Sequence, residues 1–136
     1  MSKRTLVLLK PDAVERGLVG AILSRFEQKG LRIVGMELRT LDSATLDRHY
    51  EEHLDKGFYP ELKAFMGRGP VVSLAVEGPD DTWEIVRTMM GTTNPAKAAP
   101  GTIRGDYGTL FTENLVHGSD SAESATRELA IFFPGL

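Results

Sequence analysis

Cysteine is absent from the 136-residue chain. Disulfide bonds, thiolate catalysis and cysteine-ligated zinc or iron–sulfur centres are therefore excluded. No apolar run approaches the roughly 20 residues that a membrane-spanning helix needs. The apolar stretch that follows Lys3 and Arg4 is also too short for a signal peptide. These absences predict a cytoplasmic protein with no membrane partner.

A large net charge of either sign is missing as well. The net charge is -3 and the isoelectric point is close to 5.6, which argues against a nucleic-acid partner. A local basic pocket stays compatible with that balance, because net charge does not say where charges lie. The sequence also lacks a Gly-x-x-x-x-Gly-Lys-Ser/Thr stretch, so a P-loop is absent. Any phosphate site must be built from side chains and helix ends.

The pattern of apolar residues predicts one domain over residues 1–136. The wholly apolar run Thr5 to Leu9 is typical of a strand buried on both faces. Further strands are predicted at 31–41, 71–76 and 115–117. The first predicted helix starts at a capping box of Asp12 and Glu15 and carries an apolar stripe from Val19 to Phe26. Further helices are predicted at 44–54, 60–66, 80–91 and 121–132.

This order of elements favours an α+β fold of the ferredoxin-like, split βαβ type. Its four-stranded sheet is expected to be mostly antiparallel, with helices packed on one face. The segment Thr92 to Asn114 shows little periodicity and contains several prolines and glycines. A loop of that length in a small domain is usually functional.

The densest polar cluster lies around His117, which ends the last predicted strand. Ser119, Asp120 and Ser121 are all good N-cap residues for the helix that follows. The N–H groups at a helix start favour an anion, and an ordinary imidazole is largely neutral and nucleophilic at pH 7. The pattern suits a histidine that accepts a phosphoryl group, whereas a lone histidine is more often structural.

A second pair of histidines, His49 and His53, has the i, i+4 spacing of a helical metal site. A zincin requires glutamate directly after the first histidine, and Tyr50 stands there instead. The spacing therefore gives little support to a metal site at this pair.

Several motifs together carry a resemblance to a known family. Residues 114–120 read Asn-Leu-Val-His-Gly-Ser-Asp, which matches the Asn-x-x-His-Gly-Ser-Asp signature of nucleoside diphosphate kinases. Residues 93–95 and 100–106 resemble the loop of that family, and Lys10-Pro11-Asp12 resembles the end of its first strand. The matches occur in family order along essentially the whole chain.

The resemblance implies a phosphotransferase with a ping-pong mechanism, Mg²⁺ as cofactor, and nucleoside tri- and diphosphates as substrates. It also implies a homo-oligomer, with a hexamer favoured and a tetramer as the alternative. It implies that His117 is the phosphate-accepting nucleophile. By the same resemblance, Glu128 and Ser119 orient the histidine, and Asp120 is an outer-shell magnesium contact. Lys10 and Asn114 bind the ribose, and Lys10 and Tyr50 contact the transferred phosphate. The remaining phosphates are held by Arg87, Thr93 and Arg104, and the base lies between Phe58 and Leu62.

Simpler interpretations of the same residues stay open at this point. Arg87 and Glu128 can be solvated helical charges, and Phe58 with Leu62 can be ordinary core. A non-catalytic nucleotide-binding module on the same fold is the alternative function. Gly57 stands where the family usually has proline, which predicts a more mobile backbone beside Phe58.

Overall fold

The structure is a computed structural model that describes residues 3–136. In this range the chain forms four β-strands, seven α-helices and two short 3-10 helices. The strands are β1 Arg4–Leu9, β2 Arg32–Arg39, β3 Val71–Glu77 and β4 Val116–Gly118. The α-helices are α1 Pro11–Glu15, α2 Val19–Gln28, α3 Ser43–His49, α4 Tyr59–Gly67, α5 Thr82–Met90, α6 Ile103–Tyr107 and α7 Ala122–Phe132.

The four strands form one sheet with the order β2-β3-β1-β4, and every neighbouring pair is antiparallel. β1 and β2 are separated by β3, which is the split βαβ arrangement that the sequence predicts. β1 lies inside the sheet, and residues Leu6 to Leu9 are fully buried. The predicted fold class is therefore confirmed.

Helices cover both faces of the sheet, and the prediction of one covered face is wrong. Val7 of β1 belongs to a core cluster with Phe26 of α2. Leu8, which points to the opposite face, belongs to a second cluster with Phe132 of α7. The physical reason is already present in β1, because Leu6 to Leu9 are apolar at consecutive positions and both faces of the strand therefore need a covering layer.

The predicted capping box at the first helix is also wrong. α1 begins after Lys10 without a side-chain cap. Asp12 instead accepts a hydrogen bond from the main-chain N–H of Leu115, at 3.1 Å. The carboxylate therefore joins the end of β1 to a segment about one hundred residues away.

Two segments differ from the predicted elements in length. The helix expected over 44–54 ends at His49, and a 3-10 helix follows over Glu51–His53. The segment 92–114 contains the 3-10 helix Pro95–Lys97 and the short helix α6. Each is capped by a preceding side chain, Asn94 and Thr102 respectively, which explains how such short helices form.

β4 positions the histidine of the predicted site. Leu115, immediately before this strand, has a positive φ of 75°. Its carbonyl accepts a hydrogen bond from Lys10 N–H at 2.8 Å. Both main-chain groups of Leu115 are therefore bonded to the end of β1, the N–H to Asp12 and the carbonyl to Lys10. Strand pairing then sets His117 opposite Leu8.

Among the helices of residues 3–136, none has the length and apolar character needed to cross a bilayer.

Candidate active site

The imidazole of His117 lies beside a buried carboxylate. His117 Nε2 is 3.0 Å from Glu128 Oε1, and Ser119 Oγ donates to the same oxygen at 2.7 Å. β4 provides the histidine and α7 provides the glutamate, whose side chain is only 6% exposed. Glu128 is therefore not the exposed helical acid that the simpler interpretation offers.

The environment of Glu128 keeps its carboxylate ionised. Burial alone raises the pKa of Glu128, but the hydrogen bond and charge of His117, with His49 and Ser119 contributing, lower it to about 2. An ionised carboxylate can only accept hydrogen bonds. The proton shared with His117 therefore belongs to Nε2, and in the neutral ring the lone pair is on Nδ1.

A cavity of about 210 Å³ opens beside this pair. Arg87 and Asp120 line it together with Tyr50, His117 and Glu128. Arg87 donates to the carbonyl of Gly118 at 3.1 Å, which fixes the guanidinium next to the strand that carries the histidine. Burial, followed by the charges of Glu128 and Tyr59, raises the pKa of Tyr50, so this phenol stays protonated and able to donate.

A second cavity has a volume of about 650 Å³. It is lined by all the predicted nucleotide contacts except Arg87 and Arg104, namely Lys10, Phe58, Leu62, Thr93 and Asn114. Lys10 Nζ donates to Asn114 Oδ1 at 2.7 Å, and Asn114 Nδ2 donates to the carbonyl of Thr93 at 3.1 Å. Phe58 and Leu62 line the same cavity. Phe58 is 52% exposed, so it is not part of the core.

Arg104 is buried between these groups and holds several segments together. Its guanidinium donates to the main-chain carbonyls of Gly91, Asn114 and Val116 at 2.7–3.2 Å. At the neighbouring Gly105 a side chain would collide with the carbonyl of Ala99. This glycine therefore allows close packing within the segment.

Three neighbouring cations, Lys10, Arg104 and Arg87, extend from one cavity to the other. Burial and the charge of Arg104 lower the pKa of Lys10 to about 8, against the opposing effect of Asp12. Burial and the charge of Arg87 lower the pKa of Arg104 to about 10. Lys10 and Arg87 line different cavities, and each interacts with Arg104, so an anion that extends from one cavity to the other would meet all three charges.

Comparison with known proteins identifies the family. The family model described as nucleoside diphosphate kinase matches residues 3–136. The chain belongs to the nucleoside diphosphate kinase family. It is 63% identical over 136 residues to a nucleoside diphosphate kinase of a Nocardioides species, with complete coverage of both chains. It is 62% identical to that of Streptomyces avermitilis, over 99% of this chain and 98% of the relative.

Solved structures of nucleoside diphosphate kinases agree with this assignment. A halophilic enzyme from Halobacterium salinarum in complex with CDP superposes with a TM-score of 0.93 and 46% identity, covering 98% of this chain and 88% of that one. A family protein from Babesia bovis superposes with the same TM-score and 44% identity, over 97% and 88% of the two chains.

The chain is therefore an enzyme that transfers the terminal phosphate of a nucleoside triphosphate to a nucleoside diphosphate. The alternative of a non-catalytic nucleotide-binding module is not favoured. Nucleoside diphosphate kinases work through a phosphohistidine and use Mg²⁺ with their nucleotides.

Three residues close to His117, Glu128 or Lys10 were not selected from the sequence. His49 lies edge-on to His117, with ring centroids 4.7 Å apart. Arg127 donates to the carbonyl of Arg48 and lies 3.7 Å from Glu128 Oε2, so it ties the end of α3 to α7. Asp12 anchors Leu115. Asp12 has a sequence signal because it lies within the Lys10-Pro11-Asp12 motif, whereas His49 stands out in the sequence only through its spacing from His53.

Proposed function

We propose that His117 is the residue that this nucleoside diphosphate kinase phosphorylates, and that Nδ1 is the reacting atom. The observation that carries the proposal is the contact of Nε2 with the buried, ionised Glu128. That contact leaves the Nδ1 lone pair free for attack. Glu128 also stabilises the positive charge that develops on the ring when Nδ1 forms a bond to phosphorus.

The transfer then proceeds in two halves at one site. Nδ1 attacks the γ-phosphorus of a nucleoside triphosphate, an N–P bond forms, and the bond to the bridging oxygen breaks, so that the diphosphate leaves. A second nucleoside diphosphate enters the same site. Its terminal phosphate oxygen attacks phosphorus and the N–P bond breaks, which regenerates the imidazole. No proton has to leave Nε2 in either half.

The phosphate groups are proposed to contact Arg87, Arg104 and Thr93. Within residues 3–136, Arg104 uses three of its five N–H donors on carbonyl groups, which leaves two for a phosphate oxygen. Arg87 uses one on Gly118. Planar guanidinium groups suit bidentate contacts with phosphate. The protonated hydroxyl of Tyr50 is proposed to donate to the transferred phosphoryl group from the His117 side of the cavity.

The nucleoside is proposed to occupy the larger cavity. Lys10 and Asn114 already form a hydrogen-bonded pair there, and we propose that this pair holds the ribose 3′-hydroxyl. Phe58 and Leu62 are proposed to sandwich the base. Apolar stacking accepts every base because each has a π face. This site therefore favours broad nucleotide specificity and admits ribo- and deoxyribonucleotides alike.

Asp120 is proposed to contact the magnesium ion through water. Its carboxylate is exposed, lines the cavity of His117 and uses Oδ1 to accept from Ser124 Oγ, so Oδ2 is available. One oxygen ligand of this kind fits Mg²⁺, which binds mainly to phosphates and water. A bound ion would neutralise negative charge on the phosphate groups.

Incubation with γ-labelled ATP tests the assignment of His117. Label that is stable to alkali and labile to acid should appear in the wild-type chain and be absent from His117→Ala. His53→Ala is the matched control, because His53 lines the same cavity and should keep the label. Label that persists in His117→Ala would refute the proposal.

We further propose a homo-oligomer, with a hexamer favoured over a tetramer. β2 is an edge strand whose Met36 and Leu38 are more than 60% exposed. Large exposed apolar side chains of this kind mark interfaces. Light scattering should report six times the 14.9 kDa mass of the chain.

We also propose a cytoplasmic location, which cell fractionation tests. The absence of cysteine suits a reducing compartment.

A further inference from the structure

The three histidines of this chain all line one cavity. His49, His53 and His117 surround the 210 Å³ space beside Glu128. The i, i+4 pair His49 and His53 is not the set with metal-ligand geometry. Instead, one nitrogen of His49, one nitrogen of His117 and one oxygen of Glu128 lie within 4.8 Å of one another.

We propose that His49, His117 and Glu128 form a binding site for a transition-metal ion of the Zn²⁺ class. Two imidazoles and one carboxylate are a known ligand set for zinc with an open fourth position. This site is distinct from the magnesium contact at Asp120, because Mg²⁺ prefers oxygen ligands and near-octahedral geometry.

His49 has the properties of an unused ligand. It is 3% exposed, and neither ring nitrogen has a hydrogen-bond partner within residues 3–136. A buried polar group without a partner is unfavourable, so a metal ion would supply the missing interaction. Burial, with the charge of His117, also lowers the pKa of His49 to about 3, and metal ligation requires the neutral ring.

The ligand distances require only a small adjustment. Ligands of a tetrahedral zinc ion lie roughly 3.4 Å apart, given metal–ligand bonds of about 2.0–2.2 Å. His117 and Glu128 are already 3.0 Å apart. The His49 nitrogen lies no more than 4.8 Å from the ligand atoms of His117 and Glu128. A shift of the His49 ring toward the other two ligands would break no hydrogen bond to the described residues.

The charges around the cavity also accommodate a cation. The cavity is lined by the carboxylates of Glu52, Asp120 and Glu128 and by the guanidinium groups of Arg87 and Arg127. Among the described residues that line this cavity, acidic side chains therefore outnumber the arginines. Glu128 is the carboxylate closest to both ligand rings, and it supplies the negative charge at the ion.

A metal ion at this site would block phosphorylation. The nitrogen of His117 that faces Glu128 is Nε2, so an ion held by both residues would displace the Nε2 proton and separate the ring from the carboxylate that orients it. The inhibition rests on the proposed role of His117, whereas the binding itself does not.

Calorimetric titration of the metal-free, untagged full chain with Zn²⁺ tests the binding. We expect one site per chain, and His49→Gln should weaken binding by about tenfold or more. His53→Gln is the matched control and should stay within about twofold of wild type. Equal affinity in wild type and His49→Gln, or an equal loss in His53→Gln, would overturn the proposal. The same titration with Mg²⁺ should show no displacement of Zn²⁺.

Imidazole ¹⁵N resonances give a test in the wild-type chain that does not depend on the folding of variants. Stoichiometric Zn²⁺ should shift the resonances of His49 and His117 and leave those of His53 unchanged. Shifts confined to His53, or no shifts, would contradict the site.

A single-turnover experiment separates the two proposals. With Mg²⁺ in large excess over γ-labelled ATP, stoichiometric Zn²⁺ should slow labelling of wild type and of His53→Gln by about tenfold. It should slow the labelling of His49→Gln far less. If His117 is not the labelled residue, the proposed function fails while zinc binding stands. If labelling occurs at His117 but zinc does not bind, the metal site alone fails.

Discussion

His117 and Ser119 both contact the same oxygen of Glu128, Oε1, at 3.0 and 2.7 Å. The other carboxylate oxygen, Oε2, lies 3.7 Å from the guanidinium of Arg127. Ser119 is fully buried, so its hydrogen bond is shielded from water. The serine therefore fixes the carboxylate, and the carboxylate in turn fixes the imidazole.

Glu128→Gln should slow phosphoenzyme formation by about 10- to 100-fold. The amide can still accept a hydrogen bond from Nε2 but has no charge to stabilise the ring as it becomes cationic. Rapid-quench measurement with labelled ATP gives the rate directly. Ser119→Ala removes only the supporting hydrogen bond and should cause a smaller loss. Unchanged rates in Glu128→Gln would show that its charge has no part in the transfer.

The pH dependence of kcat/KM should report the titration of Lys10. Its pKa of about 8 means that the side chain is charged below that pH and neutral above it. Because kcat/KM reports groups of the free enzyme, it should fall as pH rises from 7.5 to 9.5, a range in which nucleotide phosphates are fully ionised. The fall should approach tenfold per pH unit.

Lys10→Gln provides the control for this titration. Its kcat/KM should be lower at every pH and should lack the transition near pH 8, because the variant has no charge to lose. A wild-type profile that is flat over this range, or the same transition in Lys10→Gln, would exclude Lys10 as the titrating group.

The sequence predicts the sheet because each strand carries a local pattern, and the motif residues because they occur together in family order. Pairing between distant segments is not encoded locally. Asp12 has the local pattern of a helix cap, yet its partner is the main chain of Leu115. Leu115 adopts a positive φ although it is not glycine, and no local rule anticipates that conformation.

The surroundings of His117 show the same limit. His49 is paired with His53 by sequence spacing, but its ring contacts His117. α3 ends at His49 rather than at residue 54, and Arg127 of α7 holds that end. The helix length and the ring contact both depend on packing between α3 and α7, which periodicity within either helix does not reveal.

Phe58→Ala should raise the KM for nucleotides with little effect on folding. Stacking of a base on an aromatic ring contributes about 1–3 kcal/mol, which corresponds to roughly a 5- to 150-fold change. Phe58 is half exposed, so its loss should not open a core cavity. Leu54→Ala is a suitable control, because Leu54 is similarly exposed. An equal rise in KM for both variants would contradict a base contact at Phe58.

Gly57→Pro should stabilise the turn that leads into α4. The carbonyl of Lys56 accepts a hydrogen bond from Tyr59 N–H at 3.1 Å, and Phe58 has φ -80° and ψ -11°. These values match the third residue of a type I turn, so Gly57 occupies the second position, where proline is favoured. A side chain built at Gly57 meets nothing within 4 Å. The turn therefore suits proline, and a proline Cβ would meet no other atom within 4 Å.

The expected gain is about 0.4–1 kcal/mol in the free energy of unfolding, because proline restricts the unfolded chain. Urea unfolding at one fixed protein concentration measures it. Since the turn carries Phe58, a stiffer backbone should also lower the KM for nucleoside diphosphates by about two- to fivefold. Gly30→Pro is the opposite control: Gly30 has φ 91°, which proline cannot adopt, so that variant should be destabilised. Destabilisation of Gly57→Pro as well would mean that residues 56–59 do not form this turn.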